Sequence, residues 1–157
     1  MAGLLKVPNP ILRTPCKSVK TIGPKTMLIA KELTDYMLAH REDEVAPIGL
    51  AAPQLGHSIQ VIAFYPNPSY REDNGVEVLI NPELHSLKKF VFLRETCLSI
   101  PGRAYRVKRA NRLKLKGLNL GGQRKTYKAR GLLAQIAQHE VDHLNGVLVD
   151  KAGSLIV

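Results

Sequence analysis

A chain of 157 residues, 45% of them hydrophobic and 23% charged, is large enough for one domain (residues 1–157) with a hydrophobic core and too short for two comfortable ones. No apolar run approaches the roughly 18 residues of a bilayer span, and Met1-Ala2-Gly3-Leu4-Leu5-Lys6-Val7-Pro8 holds too short an apolar core for a secretory signal; a cytoplasmic protein without membrane contact is expected. The 23 Lys and Arg outnumber the 13 Asp and Glu, and the excess is local: no acid lies between Glu95 and Glu140, while residues 103–130 hold 11 basic ones. That stretch suits either a polyanion or the solvated outer face of a sheet.

Along the chain, Pro8, Pro10 and Pro15 predict an extended, strand-poor segment lying over the body. Pro24 can open a helix through about His40, with Ala30, Leu33, Met37 and either Ile29 or Tyr36 as its apolar stripe. Residues 41–46 are polar and acidic and read as a surface loop. Residues 59–64 read as a strand. Pro66-Asn67-Pro68 and Asp73-Asn74-Gly75 are turn signals. A second strand, 76–80, should stop at Asn81-Pro82, and a short apolar strand, 89–94, should lead into Cys97. The alternation Arg112-Leu113-Lys114-Leu115-Lys116 predicts a half-buried strand with its bases outward. Gly121-Gly122 then marks a hairpin to a partner strand at 124–129. The run 132–138 reads as helix, and that helix should end at Asn145-Gly146; the apolar tails 147–149 and 154–157 should be strands. Strands grouped apart from helices give an α+β fold.

The most informative residues lie in that last helix. His139-Glu140-Val141-Asp142-His143 is an H-E-x-x-H segment. Residues four apart share one helical face, so His139 and His143 can both aim an imidazole at one divalent ion, with Glu140 beside them to move a proton. Two histidines leave a tetrahedral ion short of protein ligands. His40, His57 and His85 are isolated and read as surface or packing residues. Cys97, in Glu95-Thr96-Cys97-Leu98-Ser99, is either the third ligand or a buried inert thiol; the residues alone leave both open. A disulfide between Cys16 and Cys97 is not expected in the cytosol. The run Ile48-Gly49-Leu50-Ala51-Ala52-Pro53-Gln54 lets backbone approach a ligand closely and ends in an amide that could face an oxyanion.

Together these segments resemble the peptide deformylases, whose motifs run in the order G-φ-G-φ-A-A-x-Q, E-G-C-φ-S and Q-H-E-x-D-H. Here they read Pro47-Ile48-Gly49-Leu50-Ala51-Ala52-Pro53-Gln54, Glu95-Thr96-Cys97-Leu98-Ser99 and Gln138-His139-Glu140-Val141-Asp142-His143. The similarity extends from Val7-Pro8-Asn9-Pro10-Ile11-Leu12-Arg13 through Asn81-Pro82 to His143-Leu144-Asn145-Gly146-Val147-Leu148. The resemblance implies antiparallel strands packed around a central C-terminal helix carrying the motif, with one additional N-terminal helix. It implies Cys97, His139 and His143 as ligands of one divalent ion per chain, usually Fe2+, with Ni2+, Co2+ or Zn2+ able to substitute. Glu140 would take a proton from the attacking water and return it to the departing amine. Gln54 and the backbone N–H of Leu98 would hold the oxyanion. Ile48 and Gly49 would pair with an extended substrate, Ile136, Leu98 and His139 would line its methionine pocket, and Arg103 would be a further contact. Asp142 would orient its surroundings. The substrates would be N-formylmethionyl nascent peptides, and the products formate and a free N-terminal methionine.

Two positions depart from the motifs. Pro47 and Thr96 each replace a glycine, removing a backbone donor in one case and adding β-branched bulk in the other. Activity should survive with an altered peptide preference. The chain also stops soon after the motif helix, without a long basic C-terminal helix, so any ribosome contact is expected through residues 103–130. The alternatives are an amidase acting on another N-acyl amine and a non-catalytic, basic ribosome-binding module. Oligomeric state is not legible.

Overall fold

A computed structural model describes residues 3–69 and 75–157; Met1, Ala2, and Asp73 and Asn74 of the expected turn lie outside them. The strands are β1 (Gly49–Ala51), β2 (Val61–Phe64), β3 (Glu77–Cys97), β4 (Ile100–Leu118), β5 (Arg124–Arg130) and β6 (Gly153–Leu155). They form an antiparallel sheet in the order β1-β2-β3-β4-β5, with β6 on β4. The helices are α1 (Pro24–Ala39), α2 (Leu132–Leu144) and the single turn α3 (Val149–Ala152). This is the α+β arrangement expected, with a motif helix near the C-terminus and a helix near the N-terminus.

The sheet is sandwiched where its strands are most apolar. On β2, Ile62 and Phe64 pack with Ala134, Ile136 and Ala137 of α2. The alternate residues Val61 and Ala63 pack with Ile29, Leu33 and Met37 of α1. Successive side chains of a strand point to opposite faces, so a strand covered on both sides reads as an unbroken apolar run. A third cluster joins Leu12, Cys97, Ile100, Val107 and Leu148, and ties both ends of the chain to β4.

Pro24 does open α1, and Ile29 rather than Tyr36 completes its fully buried stripe. The extended N-terminal segment needs correcting: residues 10–13 form a 3-10 turn whose Asn9 side chain accepts the Ile11 N–H at 3.0 Å. Nor does the second strand stop at Asn81-Pro82. β3 runs on for 21 residues through a register shift there. Asn81 (φ 50°) takes the left-handed geometry of a bulge. Its side chain accepts from the Val19 N–H (2.8 Å) and donates to the Val19 carbonyl (2.9 Å), making good the ladder bonds the bulge loses. The separate 89–94 strand is therefore part of β3, and its Phe90 and Phe92 are exposed rather than packed. In the tail, Val149 opens α3, and only 153–155 is strand.

Two contacts fix α2 against the sheet. β4 pairs with β6 at 105–107 and with β5 at 112–118, leaving Ala110 between them without a strand partner on that edge. The buried Gln138 side chain fills the gap, accepting from the Ala110 N–H and donating to its carbonyl, both at 2.8 Å. A side-chain amide thus stands in for a missing strand, as buried backbone groups require. At the other end Gly146 (φ 72°) closes the helix with backbone only 2.7 Å from where a Cβ would sit, against Arg13.

Candidate active site

β3 ends at Cys97, and α2 presents His139 and His143 one turn apart on the face turned toward it. Cys97 Sγ lies 3.5 Å from His143 Nε2, which lies 3.2 Å from His139 Nε2. All three donor atoms fall within 4.8 Å of one another. Imidazole nitrogens at about 2.05 Å and a thiolate at about 2.3 Å from a tetrahedral ion stand roughly 3.3 Å (N–N) and 3.6 Å (N–S) apart. The two tighter separations match, so the donor set fits a transition-metal ion. Both cysteines are free and buried, and Cys16 sits in the core beside α2, away from this cluster.

His139 is held from behind. Its Nδ1 is 2.6 Å from Glu95 Oε1, which leaves Nε2 to face the cluster. Arg109 grips Glu95 through two hydrogen bonds of 3.0 and 2.6 Å and reaches Asp142 at 2.6 Å. Burial would raise the Glu95 carboxyl, but His139 and Arg109 hold it down at about 2. Burial would equally lower His139, yet hydrogen bonds to Cys97 and Glu95 lift it well above its ordinary range. His143 goes the other way, pushed well down by burial and by the neighbouring His139. A neutral imidazole is the form that ligates, so an ion bound here would displace the proton that His139 otherwise holds. Glu95 and Arg109 were missed in the sequence reading. Arg109 looked like one more base on the outer face, although its odd number on β4 places it with buried Val107 and Leu113.

Glu140 is buried beside the cluster, with Oε2 lacking any hydrogen-bond partner. Burial pushes its carboxyl up to about 7, the range suited to proton transfer near neutral pH. Gly49 makes this packing possible: a Cβ there would lie 2.8 Å from both Glu140 Oε1 and Ile136 Cγ2. A cavity of about 260 Å³ opens onto Glu140 and His139. One wall is residues 45–49, leading into β1, which forms the edge of the sheet. The facing wall is Arg94 to Leu98, and Leu132, Gln135 and Ile136 of α2 close the third side. Gln54 also reaches the cavity. Its Oε1 accepts the Ala51 N–H (3.0 Å) and its Nε2 donates to Ser99 Oγ (3.2 Å), which sets the amide orientation and leaves one N–H to spare.

Of the residues singled out, Cys97, His139, His143, Glu140, Gln54, Leu98, Ile48, Gly49 and Ile136 come together around this cluster and cavity. Arg103 does not; it is exposed on β4 and lines no part of the cavity. His40, His57 and His85 each pair with a local acid, Asp43, Glu32 and Glu83 respectively. Pro47 is buried in the cavity wall, and Thr96 is exposed opposite.

The sequence profile of the polypeptide deformylases matches residues 1–155. The chain belongs to that family. A peptide deformylase of Dictyoglomus thermophilum is 43% identical over 148 residues, spanning 94% of this chain and 90% of that one. The crystal structure of the Thermotoga maritima peptide deformylase superimposes with a TM-score of 0.84 at 30% identity, covering 98% of both chains. A class I type b peptide deformylase from Acinetobacter baumannii, solved with Met-Ala-Ser bound, gives 0.82 at 31% identity over 97% of this chain and 98% of that one. Among the described residues, no helix is long and apolar enough to cross a membrane.

Proposed function

We propose that this chain hydrolyses the N-terminal formamide of formylmethionyl nascent peptides, releasing formate and a free amine. The observation that carries the reading is the convergence of Cys97, His139 and His143 beside the unpartnered carboxylate of Glu140, at the end of a cavity walled by a free sheet edge. A divalent ion held by those three residues, ferrous iron in the expected case, would supply Lewis-acid activation of water and of the formyl carbonyl. Glu140 Oε2 accepts the proton of the attacking water and returns it to the peptide nitrogen as the C–N bond breaks. Gln54 Nε2 and the backbone N–H of Leu98 take the carbonyl oxygen as its charge develops; such a donor is worth on the order of a hundred- to a thousand-fold in rate. The Glu95–Arg109–Asp142 chain keeps His139 Nε2 aimed at the ligand position. The substrate backbone adds as a strand to the edge of β1 at Ile48 and Gly49. Its first side chain enters the apolar space beside Leu98, Leu132 and Ile136. The Met-Ala-Ser seen in the Acinetobacter baumannii structure agrees with a methionine-first product.

Pro47, two residues before β1, offers no N–H to a strand added there, and Thr96 stands in another wall of the cavity, so both bear on peptide affinity rather than on the reacting atoms. The test is formate release from a formyl-Met-Ala peptide, using protein loaded anaerobically with ferrous iron or nickel, with Glu140→Ala as control. Rapid release that the substitution abolishes establishes the reaction. No release from protein of verified stoichiometric metal content returns the site to another N-acyl amine. The same assay on Thr96→Gly and Pro47→Gly should show changed KM across peptides; unchanged constants would sink the altered preference.

A further inference from the structure

On β4, Arg106, Lys108, Arg112 and Lys114 occupy even-numbered positions on either side of the buried Ala110 and are exposed, while Arg109, Leu113 and Leu115 face α2. The neighbouring strands continue the pattern. Lys88, Arg112 and Arg130 lie directly opposite one another in a row across β3, β4 and β5; Arg94 stands opposite Arg106, and Lys114 opposite Lys128. Like charges directly opposite across strands destabilise a sheet. The acid nearest them on this face is Glu83 of β3, opposite Lys116 and paired with His85; no ion pair to these residues occurs among the described ones. Within the basic field sit Phe90 and Phe92, 53% and 56% exposed. The Arg106 guanidinium lies 4.0 Å from the Phe92 ring centre and Lys108 Nζ lies 5.8 Å from that of Phe90. α1 covers this face at its Ile80 and Leu118 end, and Phe90, Phe92 and the exposed bases lie beyond it.

We infer that the outer face of β3, β4 and β5 binds single-stranded RNA, with phosphates on the rows of bases and unpaired bases stacked on Phe90 and Phe92. Two features select this occupant. Residues two apart on a strand repeat every ~6.7 Å, so Arg106 with Lys108 and Arg112 with Lys114 form two pairs of cations at that spacing on either side of Ala110, a series that tracks an extended polyanion. The exposed rings among them offer the stacking platform that single-stranded nucleic acid uses and a duplex hides. A second copy of this chain does not fit. Pairing the free β3 edge with itself about Val91 would set Lys88 against Arg94 of the second copy, compounding the repulsion. The inference does not depend on the deformylase reading: most of the face lies on the side of the sheet away from α2, and only Arg94, at its end, also borders the cavity.

The test is fluorescence anisotropy of the full chain with a labelled single-stranded RNA of about 12 nucleotides, titrated with salt, beside a duplex of the same sequence and phosphatidylserine vesicles. Five phosphate contacts give a log–log salt slope of about −3.5. Phe90→Ala with Phe92→Ala should weaken single-strand binding on the order of ten-fold or more while leaving the slope intact. Lys108→Gln with Arg112→Gln should flatten the slope by about 1.4. Formate release from a short formyl peptide should be unchanged in both variants, which checks their folding and separates this inference from the proposed reaction. Equal affinity for duplex and single strand with no loss in the phenylalanine variant, tighter binding to vesicles, or no binding at low salt would each overturn it.

Discussion

At the residue scale, the site is built from close approaches that tolerate little change. The absent Cβ of Gly49 is what lets Glu140 pack against β1, since an added methyl would meet both the carboxylate and Ile136 at 2.8 Å. Gly49→Ala should therefore displace Glu140, lowering kcat at least ten-fold while metal content stays stoichiometric; steady-state kinetics alongside metal analysis would show it, and an unchanged kcat would refute it. Glu95 carries a different load. It is the buried acceptor for His139 and the counter-charge of Arg109. Breaking a buried ion pair on one side typically costs about 3–5 kcal/mol, and losing the partner of a metal-ligating histidine weakens metal binding about 10–100-fold. Glu95→Gln should show both effects, the first in melts of metal-free protein and the second in metal titration. Wild-type metal affinity in this variant would mean that His139 needs no orienting partner. The reacting groups were legible because helix spacing places His139, Glu140 and His143 together. Glu95 and Arg109 were not, because the alternation of β4 says only that Arg109 faces inward, while the acid it meets, four residues along from its own cross-strand partner, is set by long-range packing.

Elements were legible where one periodicity ruled. α1 and α2 keep a 3.6-residue stripe, and β4 from Arg112 to Lys116 keeps a two-residue alternation, and all three appear as expected. The reading failed where long-range contacts override local signals. Asn81-Pro82 is a stop signal taken alone, yet Val19 satisfies the bulge and the strand continues. Val149 reads as strand by composition but opens a helical turn at Asp150, which is drawn to Arg13 of the N-terminal 3-10 turn. That bidentate pair, at 3.1 and 2.8 Å, fastens the two ends of the described chain together. The hydrogen bond from Arg13 holds the Asp150 carboxyl below its ordinary range. A carboxyl whose folded pKa is lowered contributes stability above its unfolded value, near 3.9, and loses it as pH falls through the folded value. Both side chains are partly exposed, 39% and 25%, so solvent screening limits the pair to ~0.2–1 kcal/mol. Asp150→Asn should cost that much at pH 7, with the cost fading as pH falls through the lowered folded value, as urea unfolding at pH 7 and in acid would report. An equal cost at both pH values would assign the loss to packing of α3 instead.

For the whole molecule, the question is whether the ion holds the fold or only the chemistry. Small metallo-domains unfold when stripped, because the site supplies the folding energy. Here the ligands hang on elements that are buried for other reasons. α2 is fixed by Ile136, Ala137 and the Gln138 clamp, and the end of β3 by Ile100, Val107 and Leu148. Chelation should thus leave a folded protein. It should still be less stable, because an ion that binds only the native state adds RT ln(1 + [L]/Kd), about 2.7–4.1 kcal/mol at 100–1,000 times Kd. In a chain of this length that corresponds to a fall in Tm of roughly 5–15 °C, with formate release lost and regained on adding metal back. Far-ultraviolet circular dichroism and calorimetry with and without chelator decide the matter. Complete loss of structure on chelation would show that the core around α2 cannot stand alone. An unmoved Tm would show that the native cluster does not hold the ion, and would remove the ground for assigning Cys97, His139 and His143 as its ligands.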